Sequence, residues 1–277
     1  MGSRRGIYAG EVVWRRASSE ATFARAFEEF AKRHLAERVH EALLIKEHLG
    51  DELIGHLSRD GTAIEARERP AEYEAPPKAS PRKRGRPRRG EVSPPAKESP
   101  VHRQRQQTLA QMIEDIPTMC DRGTKCNAQG YKVSWNGFKL HIDTADCGVP
   151  IAALLSSASM HDSRAAVPLS LMSAQRVTNL YDLMDAAYCS AELRDHCKSL
   201  GHVPLIDHNP RKGDKIEFAP AEAIRYNERT AAERSNARLK DEFGGNTLMV
   251  KGDTKVMGHL MFGILALSAD QLMRLRQ

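Results

Sequence analysis

The chain has 277 residues, 40% of them hydrophobic, enough to bury the core of one sizeable catalytic domain with an appendage. Five scattered cysteines (Cys120, Cys126, Cys147, Cys189, Cys197) form no C-x-x-C pair, which argues against a disulfide framework and for a reducing compartment. A net charge of +6 and a pI of about 9.1 suit a polyanionic partner, and an aromatic content of 5% speaks weakly against a carbohydrate-binding role.

Residues 1–54 read as a helical N-terminal segment. The helical pattern spans 19–57, with Phe23, Phe27 and Phe30 at spacings of three and four, continued by Leu35, Val39, Leu43 and Leu44. No apolar stretch follows the charged start, so no signal peptide is expected and the chain reads as cytoplasmic. Residues 55–69 contain a first strand, about Gly55 to Ala66. Residues 70–107 hold most of the prolines and almost no large apolar side chains; they read as a flexible basic insertion.

The remainder, 108–277, alternates strands and helices. Helix returns at Thr108–Glu114. Asp121, which follows Pro117 and precedes Gly123, reads as loop. From Gly137 to Thr144 the pattern alternates, with Phe138, Leu140 and Ile142 inward and Lys139, His141 and Asp143 outward. Gly148 and Pro150 mark a turn, and Ile151–Ser157 is the hairpin partner. Asp162 or Ser163 caps a helix to about Met172. Asn179–Met184 is a buried strand ending at Asp185, with Asp182 on its opposite face. Helix Ala191–Leu200 stops at Gly201, and His202–Ile206 is another strand. One long helix is expected over Arg225–Phe243, broken by Gly244 and Gly245. The last covers Lys255–Leu275, whose apolar run Val256–Ala269 is too short to span a bilayer. This order predicts an α/β architecture, a mixed sheet flanked by helices. Cys189 and Cys197 read as small buried residues rather than zinc ligands.

Three acids stand out by position: Asp60 on the first strand, Asp185 at a strand's carboxyl end, and Glu233 on the long helix. Singly, each has a plain structural reading as turn residue, cap or surface ion pair. Together, carboxylates converging at a sheet end suit hard divalent cations, which activate an attacking hydroxyl and steady a leaving oxygen in phosphoryl transfer. Tyr226, Arg229, Glu233 and Lys240 lie at offsets zero, three, seven and fourteen. At about 100° per residue they share a band of roughly 60° on one helix face. Cations there can meet phosphates, and the ring can stack on a base.

Tyr226-x-x-Arg229-x-x-x-Glu233-x-x-x-x-x-x-Lys240 resembles the YREK signature of DDE transposases of bacterial insertion sequences. Asp185-Ala186-Ala187-Tyr188 and Asp60-Gly61-Thr62 resemble that family's second- and first-aspartate motifs, over roughly residues 50–275. The resemblance implies an RNase H-like fold and metal-dependent DNA strand cleavage and transfer. It implies Asp60, Asp185 and Glu233 as catalytic ligands of two Mg²⁺ (or Mn²⁺) ions, with Tyr226, Arg229 and Lys240 on DNA. It also implies a homo-oligomer acting on paired element ends and a target. Asp121-Arg122-Gly123-Thr124 is an alternative first-aspartate motif, less apolar in context than Asp60.

Within the insertion, Arg84-Gly85-Arg86-Pro87 resembles an AT-hook, whose arginines follow the negative potential of a narrow minor groove. Its plainer reading is a basic linker. Two other functions stay open: a nuclease on the same scaffold, and a truncated, non-catalytic DNA-binding remnant or repressor. The last is suggested by the 59 residues before Asp60, which show no clear helix-turn-helix.

Overall fold

The structure is a computed structural model that describes residues 3–8, 11–16, 19–70, 72, 99–126, 129–210 and 214–277. The AT-hook-like sequence with Arg84 and Arg86 lies outside the described residues.

The N-terminal part departs from an all-helical reading. Strands β1 (Ser3–Tyr8) and β2 (Glu11–Arg16) pair antiparallel as a two-stranded ribbon. Helix follows from α1 (Glu20–Lys32), capped by Ser19, whose Oγ accepts from the Thr22 amide. It continues through α2 (Leu35–Val39), a π-helical stretch over His40–Lys46, and α3 (Glu47–Leu49), so it ends earlier than the predicted residue 57. Of the three phenylalanines, Phe23 and Phe30 are exposed, whereas the Phe27 ring lies 6.2 Å from that of Phe262.

The chain then builds one six-stranded sheet. β3 (Leu53–Glu65) is its central strand. β4 (Asp121–Cys126), β5 (Lys132–Ala145), β6 (Pro150–Ser157), β7 (Thr178–Met184) and β8 (Val203–Ile206) complete it. β5 pairs antiparallel with β3 through residues 137–145 and with β6 through residues 138–144, while its first half pairs with β4. β3 and β7 are parallel, as are β7 and β8. The spatial order β6–β5–β3–β7–β8, antiparallel on one side of β3 and parallel on the other, is that of an RNase H-like α/β fold.

Helices cover both sheet faces. α6 (Ser163–Ala174) and α7 (Ala191–Ser199) cover one; α9 (Thr230–Asp241) and α10 (Asp253–Leu275) cover the other. Short helices α4 (Pro100–Gln104), α5 (Leu109–Glu114) and α8 (Pro220–Asn227) lie outside these layers. α5 falls within the predicted helical stretch Thr108–Glu114, and Thr108 and Gln111 form a reciprocal capping box at its start. α4 falls where the insertion reading placed no structure.

Two-sided coverage corrects the reading of β5. Phe138, Leu140 and Ile142 are buried against α9 and α10 as predicted, but His141 and Asp143 are also completely buried, on the α6 side. Arg59 meets Asp143 there in a bidentate pair, with both N–H···O distances 2.7 Å. The Ser173 hydroxyl donates to the same carboxylate at 2.7 Å, and Arg59 Nη1 lies 3.5 Å from Met184 Sδ. Burial alone would lower the Arg59 pKa; the adjoining Asp143 carboxylate outweighs it and raises it. Asp182 is likewise buried, held by His202 at 3.0 Å, in agreement with a structural role.

β4 is a strand where the sequence suggested a loop. Its Gly123 is required because a Cβ there would come within 2.4 Å of the Trp135 ring. Gly137 takes φ +152 and lies so close to β3 that a Cβ would approach Ile64 O to 2.1 Å. α10 has 23 residues and is long and apolar enough to cross a membrane by length and composition; here Val256, Leu260, Ile264 and Leu267 are buried in the domain. Its Gly258 lies against Ala31 of α1, close enough that an added Cβ would stand 2.9 Å from the alanine's.

Candidate active site

Strand register fixes where the two aspartates point. Arg59 of β3 faces Met184 of β7 in the parallel ladder, so Asp60 and Asp185 are the next residues along. Side chains alternate along a strand, and Asp185 keeps extended backbone angles, so both carboxylates project to the face opposite Arg59, towards α9. Asp185 also starts the following 3₁₀ turn, its Oδ1 accepting from the Ala187 amide at 2.9 Å. It therefore caps a turn and faces the site at once.

Asp60 accepts a hydrogen bond from Asn236 Nδ2 of α9 at 2.9 Å. Burial, followed by repulsion from Asp185, pushes its carboxyl up to about 6, against the opposing pull of Arg229 and the Asn236 bond. Asp185 is also raised, chiefly by burial, with Asp162 and Asp207 adding to it and the Ala187 amide and Arg229 opposing. Two partly buried carboxylates side by side, each resisting ionisation, form a site that a cation would relieve.

The elevation of Asp60 has a measurable consequence. Between its ordinary value near 3.8 and about 6, the folded protein holds a proton that the unfolded chain has released. Stability therefore falls as pH rises through that window and stays reduced above it. In metal-free buffer, Asp60→Asn should gain stability relative to the wild type as pH rises from about 4 to about 7. Thermal unfolding across that range checks this; a difference that does not change with pH would show that Asp60 is not so perturbed.

Glu233 occupies a different position. The predicted long helix is two, α8 and α9, separated by a turn at Glu228–Arg229. Glu233 lies in the first turn of α9, its side chain 52% exposed, and accepts from Arg229 Nη2 at 2.6 Å. Among the described residues no group of three His, Cys, Asp or Glu side chains is placed to hold a metal ion. The structure thus brings Asp60 and Asp185 together, while Glu233 does not join them in one cluster and is held instead in an ion pair with Arg229. Arg229 links the three, pairing with Glu233 while its charge acts on both aspartates.

The remaining predicted residues surround this centre. Burial pushes the Tyr226 phenol up to about 12; its ring packs 4.7 Å from that of Phe218, with the Arg229 guanidinium 5.9 Å from its centroid. Lys240 lies two turns beyond Glu233 along α9 and is half-buried. Asp121 sits away from the centre, opposite Gly137, itself paired with Glu65, and is hydrogen-bonded to Ser159. Asp162 does not cap α6 with its side chain; it accepts from Lys139 Nζ at 2.8 Å.

Asn236 was missed by sequence reading, although its place three residues after Glu233 puts it on the same helix face. Asp207 was also missed; it follows β8 as Asp185 follows β7 and pairs with Lys215 at 3.1 Å.

Hard carboxylate oxygens brought together from neighbouring strands, Asp60 within β3 and Asp185 just past β7, fit a divalent cation. Paired aspartates on an RNase H-like sheet suit metal-assisted phosphoryl transfer. Residues 56–269 match the family described as "Transposase DDE domain", and the chain belongs to that family. Comparison with curated proteins and with solved structures returns no match. Members of this family act on DNA and generally use divalent metal ions.

Proposed function

We propose that the chain is the transposase of an insertion sequence of the YREK group, cleaving DNA strands at element ends and joining them to a target. The observation that carries this reading is the pairing of Asp60 and Asp185 on one sheet face under α9. Asp60, Asp185 and Glu233 would hold two Mg²⁺ (or Mn²⁺) ions. Bound there, the ions would supply activation of a water or 3′-hydroxyl and neutralisation of the leaving oxygen.

The chain's own residues do the rest. Asn236 fixes one Asp60 oxygen, and the Gly61 amide also bonds this carboxylate. The Ala187 amide orients Asp185 in the same way. Arg229 balances charge among the acids and is placed to turn to a phosphate when Glu233 takes up a metal. Tyr226 and Lys240 extend the DNA-facing surface on either side. Arg84 and Arg86 would add minor-groove contacts. The active unit is proposed to be a homo-oligomer on paired ends, and its compartment the cytoplasm.

The test is a joining assay on a duplex bearing an element end. Cleaved and strand-transferred products are expected with Mg²⁺; nicks without joined products would make the protein a nuclease. Glu233→Gln should abolish cleavage and leave DNA binding largely intact. Cleavage by that variant at the normal rate would remove Glu233 from the metal site. A second reading, a non-catalytic DNA-binding remnant or repressor, is favoured by one observation, the engagement of Glu233 by Arg229. It predicts DNA binding by the wild type with no metal-dependent product at all.

A further inference from the structure

Past Asp60, β3 runs on to Ala63 and Glu65, and α9 runs on from Asn236 to Lys240. Between them opens a groove of about 410 Å³, lined also by Lys125 of β4, Trp135 of β5 and Asn246. Lys125 and Lys240 come from separate elements, yet they are near enough that Lys125 helps to lower the Lys240 pKa, after the larger effect of burial. Among the described residues neither ammonium is in a salt bridge, and Glu65 is the one acid on the lining. Lys125 is exposed and Lys240 half-buried; the charges of Glu65, Asp241 and Asp60 offset their repulsion and the burial of Lys240 only in part, so a further anion between the two ammoniums would be favoured.

The position of the groove identifies that anion. Lys240 brings the groove against α9, the helix whose Asn236 bonds Asp60, and Asp60 is close enough for its charge to act on Lys240. A strand held with one phosphodiester at Asp60 continues along this surface. Resting on the function proposed above, we infer that the groove holds a further phosphodiester of that DNA strand, with Lys125 and Lys240 as its two cationic partners. Lys125 is then a DNA-binding residue contributed by β4. Asn246 offers an uncharged amide at the rim, and the Trp135 edge forms an apolar wall for the sugar.

The full chain is tested with a fluorescein-labelled duplex of mixed sequence in metal-free buffer, by anisotropy over a range of NaCl concentrations. Lys125→Gln and Lys240→Gln should each reduce the slope of log K against log[salt] by about 0.9. Lys125→Arg should retain the wild-type slope. In a Trp14→Phe background Trp135 is the remaining tryptophan, and its emission should change on adding DNA but not in the Lys125→Gln/Lys240→Gln double variant. A wild-type slope for Lys125→Gln overturns the inference while leaving the transposase reading in place. Failure of the wild-type chain to bind the duplex overturns both.

Discussion

Asp185→Asn is expected to lower metal-dependent strand cleavage by on the order of a thousandfold or more, because removing one member of a catalytic set disables the unit. The substitution is conservative in shape. An asparagine oxygen can still accept from the Ala187 amide, so the 3₁₀ turn after β7 keeps its cap. What is lost is one of the two negative charges that make this end of the sheet a cation site. Cleavage should be measured on an end-bearing duplex, beside circular dichroism and DNA-binding anisotropy on the same preparation. A variant that folds, binds and still cleaves within about tenfold of the wild type would show that Asp185 is only a turn residue.

The second large effect concerns the fold. Arg59→Met should destabilise the protein by about 3–5 kcal/mol, the usual cost of breaking a buried ion pair from one side. Arg59 is 1% exposed and Asp143 is fully buried, so the orphaned carboxylate keeps only the Ser173 hydroxyl. Replacing both partners, as Arg59→Met with Asp143→Leu, should recover much of the loss because no charge is left buried. Urea unfolding of the three proteins measures this. A loss below about 1 kcal/mol in the single variant would mean that water reaches Asp143. The pair also touches both aspartate-bearing strands, since Arg59 precedes Asp60 and contacts Met184, which precedes Asp185.

The parts of this architecture that depend on local chemistry could be read from the chain. Alternation in Phe138–Ile142, the turn at Gly148–Pro150 and the helix within Thr108–Glu114 each involve neighbours in sequence, and each is found. The positions of Asp60 within a strand and Asp185 at a strand's end were legible because a strand's period and its end are local properties. The failures have a common cause in partners remote in sequence. β4 contains Gly123 and several polar residues and becomes a strand only because β5 offers it an edge. His141 and Asp143 looked outward because nothing local reveals that α6 covers that face. The Arg59–Asp143 pair depends on strand register, which a single sequence does not display. Asp162 has the position of a helix cap, yet Lys139 takes its carboxylate from the neighbouring strand. The Arg229–Glu233 pair, four residues apart, was within reach of local reading: a surface ion pair is the plain reading of Glu233, set beside metal binding for Glu233 and phosphate contact for Arg229.

The turn at Glu228–Arg229 gives the predicted rod a knee. Above it α8 has no buried residue and rests on ring contacts at Phe218 and Tyr181; below it α9 buries Ala231, Ala232, Ser235, Asn236 and Leu239. The upper limb is thus held by surface contacts, while the lower limb, packed into the core, keeps Asn236 on Asp60. Substitutions along α8 should therefore leave the Asn236–Asp60 bond undisturbed, since the surface limb and the buried limb rest on different neighbours.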